Sequence, residues 1–420
     1  MNTPVVFKFG GASVKDAESV QNIARIISNY PLRPMVVVVS AMGKMTNALE
    51  RVVEAWNNKN TSLALAEIEA IEKFHQKIID DLFEIPPAEL LEQIEFWMQS
   101  LKHGVSITAV SYSKQYDFIV HFGEFISTRI ISTFVHQFTP SVWLDTTEMV
   151  KTDHHFRRAT VDWQATEIAI PASIQWNKVN FVQGFIGSDP DGNPTTLGRE
   201  GSDYSGAVFA YCLKAANLTI WKDVPGMLNG DPKIFKNTQK IHSLPYAEAI
   251  ELAFYGASII HPKTIQPMQR RSIPLHIKSF MDPTAAGTVI SEVGISNPEM
   301  ANFILKRKQA LLEISTTDLA FIVERHLSAV YALFASNGIV VNLMRNTATK
   351  AIFCIDNDRI IVPKVIRELE TTFKVELQEK VELLTIRHYS SEDERRETQG
   401  LHILQEQRTP DTVQFVFKRS

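Results

Sequence analysis

The stretch VVFKFGGASVKDAESVQNIARIISNYPLRPMVVVV, residues 5–39, decides the fold. Its first residues alternate, with Val5, Phe7 and Phe9 on one side and Val6 and Lys8 on the other, until Gly10-Gly11 breaks the strand. Ser13 and Asp16 have the spacing of a capping box. Val20, Ile23, Ala24 and Ile27 supply an apolar helical face, which predicts a helix beginning near Ser13. Residues 35–39 are uninterrupted and β-branched after Met35, as expected of a strand covered on both faces. Strand, glycine turn, helix, strand opens an α/β layer structure.

Around this opening lie 420 residues, 45% apolar and 21% charged, enough for two or three cores and too apolar for a mostly disordered chain. The net charge of −4 provides no basic field, so no nucleic-acid partner is expected. Two cysteines, Cys212 and Cys354, make neither a disulfide framework nor a zinc cluster of the usual spacing. The N-terminal residues lack the pattern of a secretory signal, and the apolar run at 35–42 is far too short to span a bilayer. A cytoplasmic protein without membrane contact is the expectation.

Residues 46–102 are helical in character, followed by strand-like segments near 116–121 and 141–144, with a helix between them at 122–134. A strand is predicted at 179–183 and another at 218–221. A helix capped by Ser243 is predicted over 244–255, and a late strand at 273–280. Past residue 295 the order becomes strand, helix, strand, strand, helix, strand, the pattern of a small α+β module with a shorter copy behind it. The expected division is therefore a large α/β domain at 1–295 and a two-module region at 296–420, its second module reduced.

No strand is followed by GxGxxG, and Gly43-Lys44 fails as a P-loop because Met45 replaces the required hydroxyl residue. Gly10-Gly11 has two open readings. The pair either tightens a turn, or lets backbone N–H groups face an anion with Lys8 beside it. The segment 184–206 holds Gly184, Gly187, Gly192, Gly198 and Gly201, too many for regular structure, so it is an active-site loop or a surface excursion. Within it Arg199 can grip a carboxylate with its fork. Asp203 can accept from an ammonium group or simply cap the following helix.

In order along the chain, VFKFGGASV (6–14), VVVVSAMGKMTNAL (36–49), HFGEFISTRI (121–130), QGFIGSDPDGNPTTLGREGSDYSG (183–206), IWKDVPGMLNGDPKI (220–234) and FYGASIIHPKTI (254–265) resemble the signature segments of the aspartate kinase family, within the amino-acid kinase superfamily. The resemblance covers almost all of residues 5–290. It implies a three-layer αβα sandwich with a mainly parallel central sheet, followed by α+β modules that look like ACT domains. It also implies ATP-dependent phosphorylation of the β-carboxylate of L-aspartate with Mg²⁺, the first step of lysine, threonine and methionine synthesis. The length leaves no room for a fused dehydrogenase, so a monofunctional enzyme is expected.

Carried onto this sequence, the resemblance makes Lys8 the cation for the transferring phosphoryl group, beside a phosphate-facing loop of Gly10, Gly11, Ala12 and Ser13. Ser40 and Thr46 would lie near the reacting carboxylate and Phe185 would wall the pocket. Arg199 would bind the α-carboxylate, with Glu124 and Asp203 around the α-ammonium, and Ser202 would also bind substrate. Asp203 joins Lys8 as a catalytic residue that aids Mg²⁺ or substrate placement, not as a base. Trp221, Lys222, Asp223, Leu228, Lys233 and Ser258 would surround the nucleotide. Ala12 stands where the family has threonine, Leu228 where it often has tyrosine, Lys233 where it has arginine, and Ser258 where it has lysine. His261 reads as structural, since phosphorylating a carboxylate leaves no proton to remove. His154-His155 reads as exposed and without an acidic cluster. Relatives inhibited by lysine carry an acidic residue where Asn342 stands, so the tail implies a homodimer or higher homo-oligomer more directly than it implies an amino-acid effector.

Overall fold

A computed structural model describes residues 3–30, 34–107, 109–257, 260–294, 300–318 and 320–419. Two compact units emerge: residues 1–227, 240–250 and 259–296 form the first, while residues 228–239, 251–258 and 297–420 form the second.

The first unit opens with β1 (Val5–Phe9), α1 (Ala17–Ser28) and β2 (Met35–Val39). Four helices follow: α2 (Met45–Asn57), α3 (Thr61–Leu82), α4 (Ala88–Gly104) and α5 (Tyr112–His136). Then come β3 (Ser141–Trp143), α6 (Trp163–Ser173), β4 (Val179–Gln183), the hairpin β5 (Ile186–Ser188) and β6 (Pro194–Thr196), α7 (Gly201–Cys212) and β7 (Asn217–Lys222). After β8 (Ser243–Pro245), helix α8 (Tyr246–Tyr255) runs on past residue 250, and α9 (Pro262–Arg270), β9 (Leu275–Ser279) and β10 (Thr288–Ser291) complete the unit.

Its eight-stranded sheet has the order β3-β4-β2-β1-β7-β9-β10-β8, parallel except where β9 meets β10. Both faces of the central strands are buried, which explains their continuous apolar runs. Val5, Phe7, Phe9, Val37 and Val39 face a core shared with α1 to α5. Lys8 faces the opposite way, toward α7, where Gly206 leaves room for its stem: a Cβ there would lie 3.5 Å from that of Lys8.

Three local expectations need correction. The first helix begins at Ala17, not near Ser13, because Asp16 accepts from Ser19 N at 2.9 Å as its cap, while Gly11–Val14 form a 3₁₀ turn. Residues 116–121 are not a strand but part of α5, a helix buried nearly all round, where alternation carries no information about face. Ser243 belongs to β8, and α8 starts three residues later. Helix α5 is also long and apolar enough to cross a membrane by length and composition, which the sequence reading missed; 83% of its most apolar window is buried inside the protein.

The second unit contains β11 (Asn302–Thr316), α10 (Glu324–Asn337), β12 (Val341–Asn346), β13 (Lys350–Asp356), α11 (Ile361–Leu369), β14 (Phe373–Arg387), α12 (Ser391–Thr398), β15 (His402–Arg408) and β16 (Thr412–Lys418). These strands form one antiparallel sheet, β12-β13-β11-β14-β16-β15, with the two long strands β11 and β14 adjacent at its centre. Helices α10 and α11 bury Val330, Phe334, Val362 and Val365 against it. Phe235, from the 228–239 segment, enters a separate core with Phe303, Ile386 and Phe415.

Candidate active site

Lys8 sits one residue before the end of β1, and Asp203 lies in the first turn of α7. Their charges meet at 2.6 Å with the side chains 8% and 2% exposed, and Lys222 at the end of β7 reaches the other Asp203 oxygen at 3.1 Å. Burial pushes the Asp203 carboxyl up, but the two ammonium groups more than offset this and hold it below its ordinary value. Of its two sequence readings, the helix cap is not the one seen, and the ammonium groups Asp203 meets belong to the chain itself. The residue ahead of α7 is Glu200, and both Asp203 oxygens face lysines of the chain itself.

The loops after β1 and β2 touch. Gly43 N donates to Gly11 O at 3.1 Å and Ser40 N to Phe9 O at 3.1 Å. A Cβ on Gly11 would lie 2.8 Å from the Gly43 carbonyl oxygen, so only glycine fits that approach. Over Gly10 the nearest such neighbour is the Lys8 ammonium at 3.3 Å, which places the cation beside the glycine turn. Ala12 is exposed, whereas Ser13 is buried and its N–H donates to Gly10 O. Glu124, on α5, accepts a long bond of 3.3 Å from Ala41 N. Burial pushes its carboxyl up to about 8, with Ala41 N and the Lys8 charge opposing the shift.

A cleft of about 450 Å³ brings Thr46, Phe185 and Arg199 together with Tyr116, Arg157 and Arg158. Phe185 holds a left-handed backbone at φ 71°, pinned by its N–H donating to Ser205 Oγ at 2.8 Å on α7. Ser202 packs under Gly184, where a Cβ would come within 2.7 Å. Ser40 is absent from the residues that line this cleft, and its carbonyl accepts from Ser127 Oγ at 2.7 Å. Arg199 and Asp203 therefore flank one helix start, which carries the cleft and the Lys8 centre on a single element.

The nucleotide-side expectations fare differently. The Trp221 ring is fully buried among Phe7, Phe9 and Tyr30, so its side chain belongs to the core. Asp223 is exposed just beyond β7. Leu228 and Lys233 fall within the second unit, and the Lys233 N–H donates to Asp231 at 2.9 Å. Ser258 lies outside the described residues. His261 caps α9, its Nδ1 accepting from Lys263 N at 3.1 Å.

Two groupings escaped the sequence because their members are far apart in the chain. His154 is exposed as expected, yet its Nδ1 lies 3.2 Å from Asp189 and 4.0 Å from Asp191, so acidic neighbours do exist. Asp117, seven residues before Glu124, is buried and accepts from Arg157 and Thr196. No local spacing signals either pairing.

Residues 3–279 match the family described as the Amino acid kinase family. The lysine-sensitive aspartokinase 3 of Escherichia coli (strain K12) is 30% identical over 401 residues, covering 92% of this chain and 87% of that one. The chain belongs to the aspartokinases. The chloroplastic aspartokinase 1 of Arabidopsis thaliana is also 30% identical, over 91% of this chain and 68% of its own length. Among solved structures, E. coli aspartokinase III in complex with aspartate and ADP (R-state) superposes with a TM-score of 0.84 at 27% identity, covering 99% of this chain and 96% of that one. The aspartokinase fold, an α/β kinase core followed by β-rich ACT-like modules, is thus present here.

Proposed function

We propose that this aspartokinase-family chain transfers the γ-phosphoryl group of ATP to the β-carboxylate of L-aspartate, giving 4-phospho-L-aspartate, the entry to lysine, threonine and methionine synthesis. The observation that carries this reading is the start of α7, which joins Asp203, paired with Lys8, to the Arg199 cleft.

The β-carboxylate is an anion at neutral pH and needs no base. The obstacle is repulsion between it and the phosphates, so the protein must supply positive charge and alignment. Lys8 would stabilise the transferring group beside the turn at Gly10, over which its ammonium lies. Asp203 would hold Lys8 and Lys222 in place, and Arg199 would take the α-carboxylate. Glu124, buried beside Ala41, would receive the α-ammonium and ionise as it does so. Mg²⁺, when bound, supplies charge neutralisation on the phosphates. Since both Asp203 oxygens face lysines, these donors suit a metal carried in on the nucleotide.

Self-association through the second unit fits the reading, because β12 and β15 are the two edges of its sheet. Asn342 on β12 is held by Lys306, Gln309 and Asp356 at 2.7 Å each, so it offers an effector's ammonium an amide and not a carboxylate. A cytoplasmic location remains part of this proposal.

Hydroxylamine trapping of the acyl phosphate, with ADP release measured across aspartate, glutamate, N-acetylglutamate and carbamate, tests the function. Aspartate alone should give the hydroxamate. Turnover with another acceptor and none with aspartate would overturn the assignment.

A further inference from the structure

Besides Asp203, the first unit holds another deeply buried carboxylate that the proposed chemistry does not use. Asp117, on α5, has no solvent exposure. One oxygen accepts from Arg157 N and Thr196 N, each at 2.9 Å, and the other from the Thr196 hydroxyl at 2.7 Å. Burying a carboxylate is costly, and burial pushes this one up to about 6 despite its donors. The three bonds must therefore secure something other than apolar packing.

They secure two turns. Thr196 ends β6, three residues before Arg199. Arg157 is an exposed residue in a left-handed conformation at φ 71°, a backbone state that is unfavourable unless its surroundings impose it. The turns also abut each other. A Cβ on Gly198 would lie 3.4 Å from the Arg157 carbonyl oxygen and 3.5 Å from the Arg158 Cβ, and Ala159 N donates to Thr196 O at 2.8 Å. Both turns end in arginines that line the cleft. Among the described residues, none of Arg157, Arg158 and Arg199 has a carboxylate within ion-pair distance. The Arg157 guanidinium instead lies over the Tyr116 ring at 4.6 Å.

We propose that Asp117 is a positioning residue for the amino-acid end of the cleft: it hangs both arginine-bearing turns on α5 and so fixes where their guanidinium groups meet a dicarboxylate substrate. This rests on the aspartate kinase reading and adds to it a residue that never touches the substrate. Guanidinium forks recognise carboxylates by geometry, so a small displacement of the turns weakens binding without disturbing the Lys8 centre.

The test uses the full chain with Asp117→Ala, Asp117→Asn and Thr196→Val, aspartate and ATP being varied separately. Asp117→Ala should raise the aspartate KM about tenfold or more while the ATP KM stays within about twofold. Asp117→Asn keeps an acceptor for the two N–H groups and should return the aspartate KM to within about threefold of the wild type. Thr196→Val, which removes one bond only, should fall between them and serves where Asp117→Ala does not fold. Amide hydrogen exchange at Arg157 and Thr196 should speed up in the same order. Equal rises in both KM values, a fall in kcat alone, or an asparagine variant as impaired as the alanine would overturn the inference while leaving the kinase reading intact. Absence of aspartate turnover in the wild type would overturn the kinase reading and the inference with it. Unchanged exchange at the two amides would refute the anchoring alone.

Discussion

Lys8 Nζ lies 2.6 Å from Asp203, so the first strand and the helix after the glycine-rich segment share one buried charge pair. A pair this enclosed is a weak source of stability but a strong fixer of position, because either charge left alone is costly.

Removing the cation should therefore separate chemistry from binding. Lys8→Ala should lower kcat by about 10²–10³ with little change in the aspartate KM, as expected for a group that acts on charge developing in the transition state. Arg199→Ala should do the reverse and raise the aspartate KM by about 10–100-fold. Steady-state kinetics on both variants check the split, and similar modest effects from both would contradict these roles.

Gly11→Ala should displace the contact between the first two loops. The added methyl meets the Gly43 carbonyl at 2.8 Å and the Ala41 carbonyl at 3.1 Å, and both are backbone atoms. We expect a loss of about 1–3 kcal/mol in denaturant unfolding together with a raised ATP KM. Retention of both properties would mean that the loops relax freely.

His75 on α3 and His121 on α5 are both pushed down to about 4, chiefly by burial, and each donates its ring N–H to a helix carbonyl. Unfolded, each titrates near 6.5, so between pH 6.5 and 4 the unfolded chain binds more protons than the folded one. Their contribution is whole above pH 6.5 and falls as pH drops toward 4, by about 3 kcal/mol for each histidine. His75→Leu should flatten this acid limb in urea unfolding measured across pH; an unchanged slope would show that the ring is not held neutral.

Glu124 has the opposite sign. Its folded value of about 8 exceeds the ordinary carboxylate value, so the stability it contributes is whole below about pH 4.5 and is lost as pH rises through 8. If the substrate ammonium ionises it, aspartate binding near pH 7 should release up to about one proton. Calorimetric binding enthalpies in buffers of different ionisation heat would reveal the release, and Glu124→Gln should abolish it.

The sequence announced the central strands plainly, since runs such as 35–39 admit few readings. Lys8, Thr46, Phe185 and Arg199 were legible as candidates because each sits inside a distinctive local motif, and the structure lines one cleft with three of them and pairs the fourth with Asp203. Helix α5 was misread in part, because burial on all sides erases the periodicity that distinguishes helix from strand. Asp117 was invisible for a different reason. Its partners lie 40 and 79 residues downstream, and no spacing rule reaches that far.

Phe235 inserts its ring beside Phe303 in the core of the C-terminal sheet, although it lies nearly seventy residues before that sheet begins at Asn302. An engineer who wished to swap the ACT-like modules between relatives could not do so with one junction near residue 300. The transplant would have to include the 228–239 and 251–258 segments, or the donor sheet would arrive with a hole where that aromatic belongs.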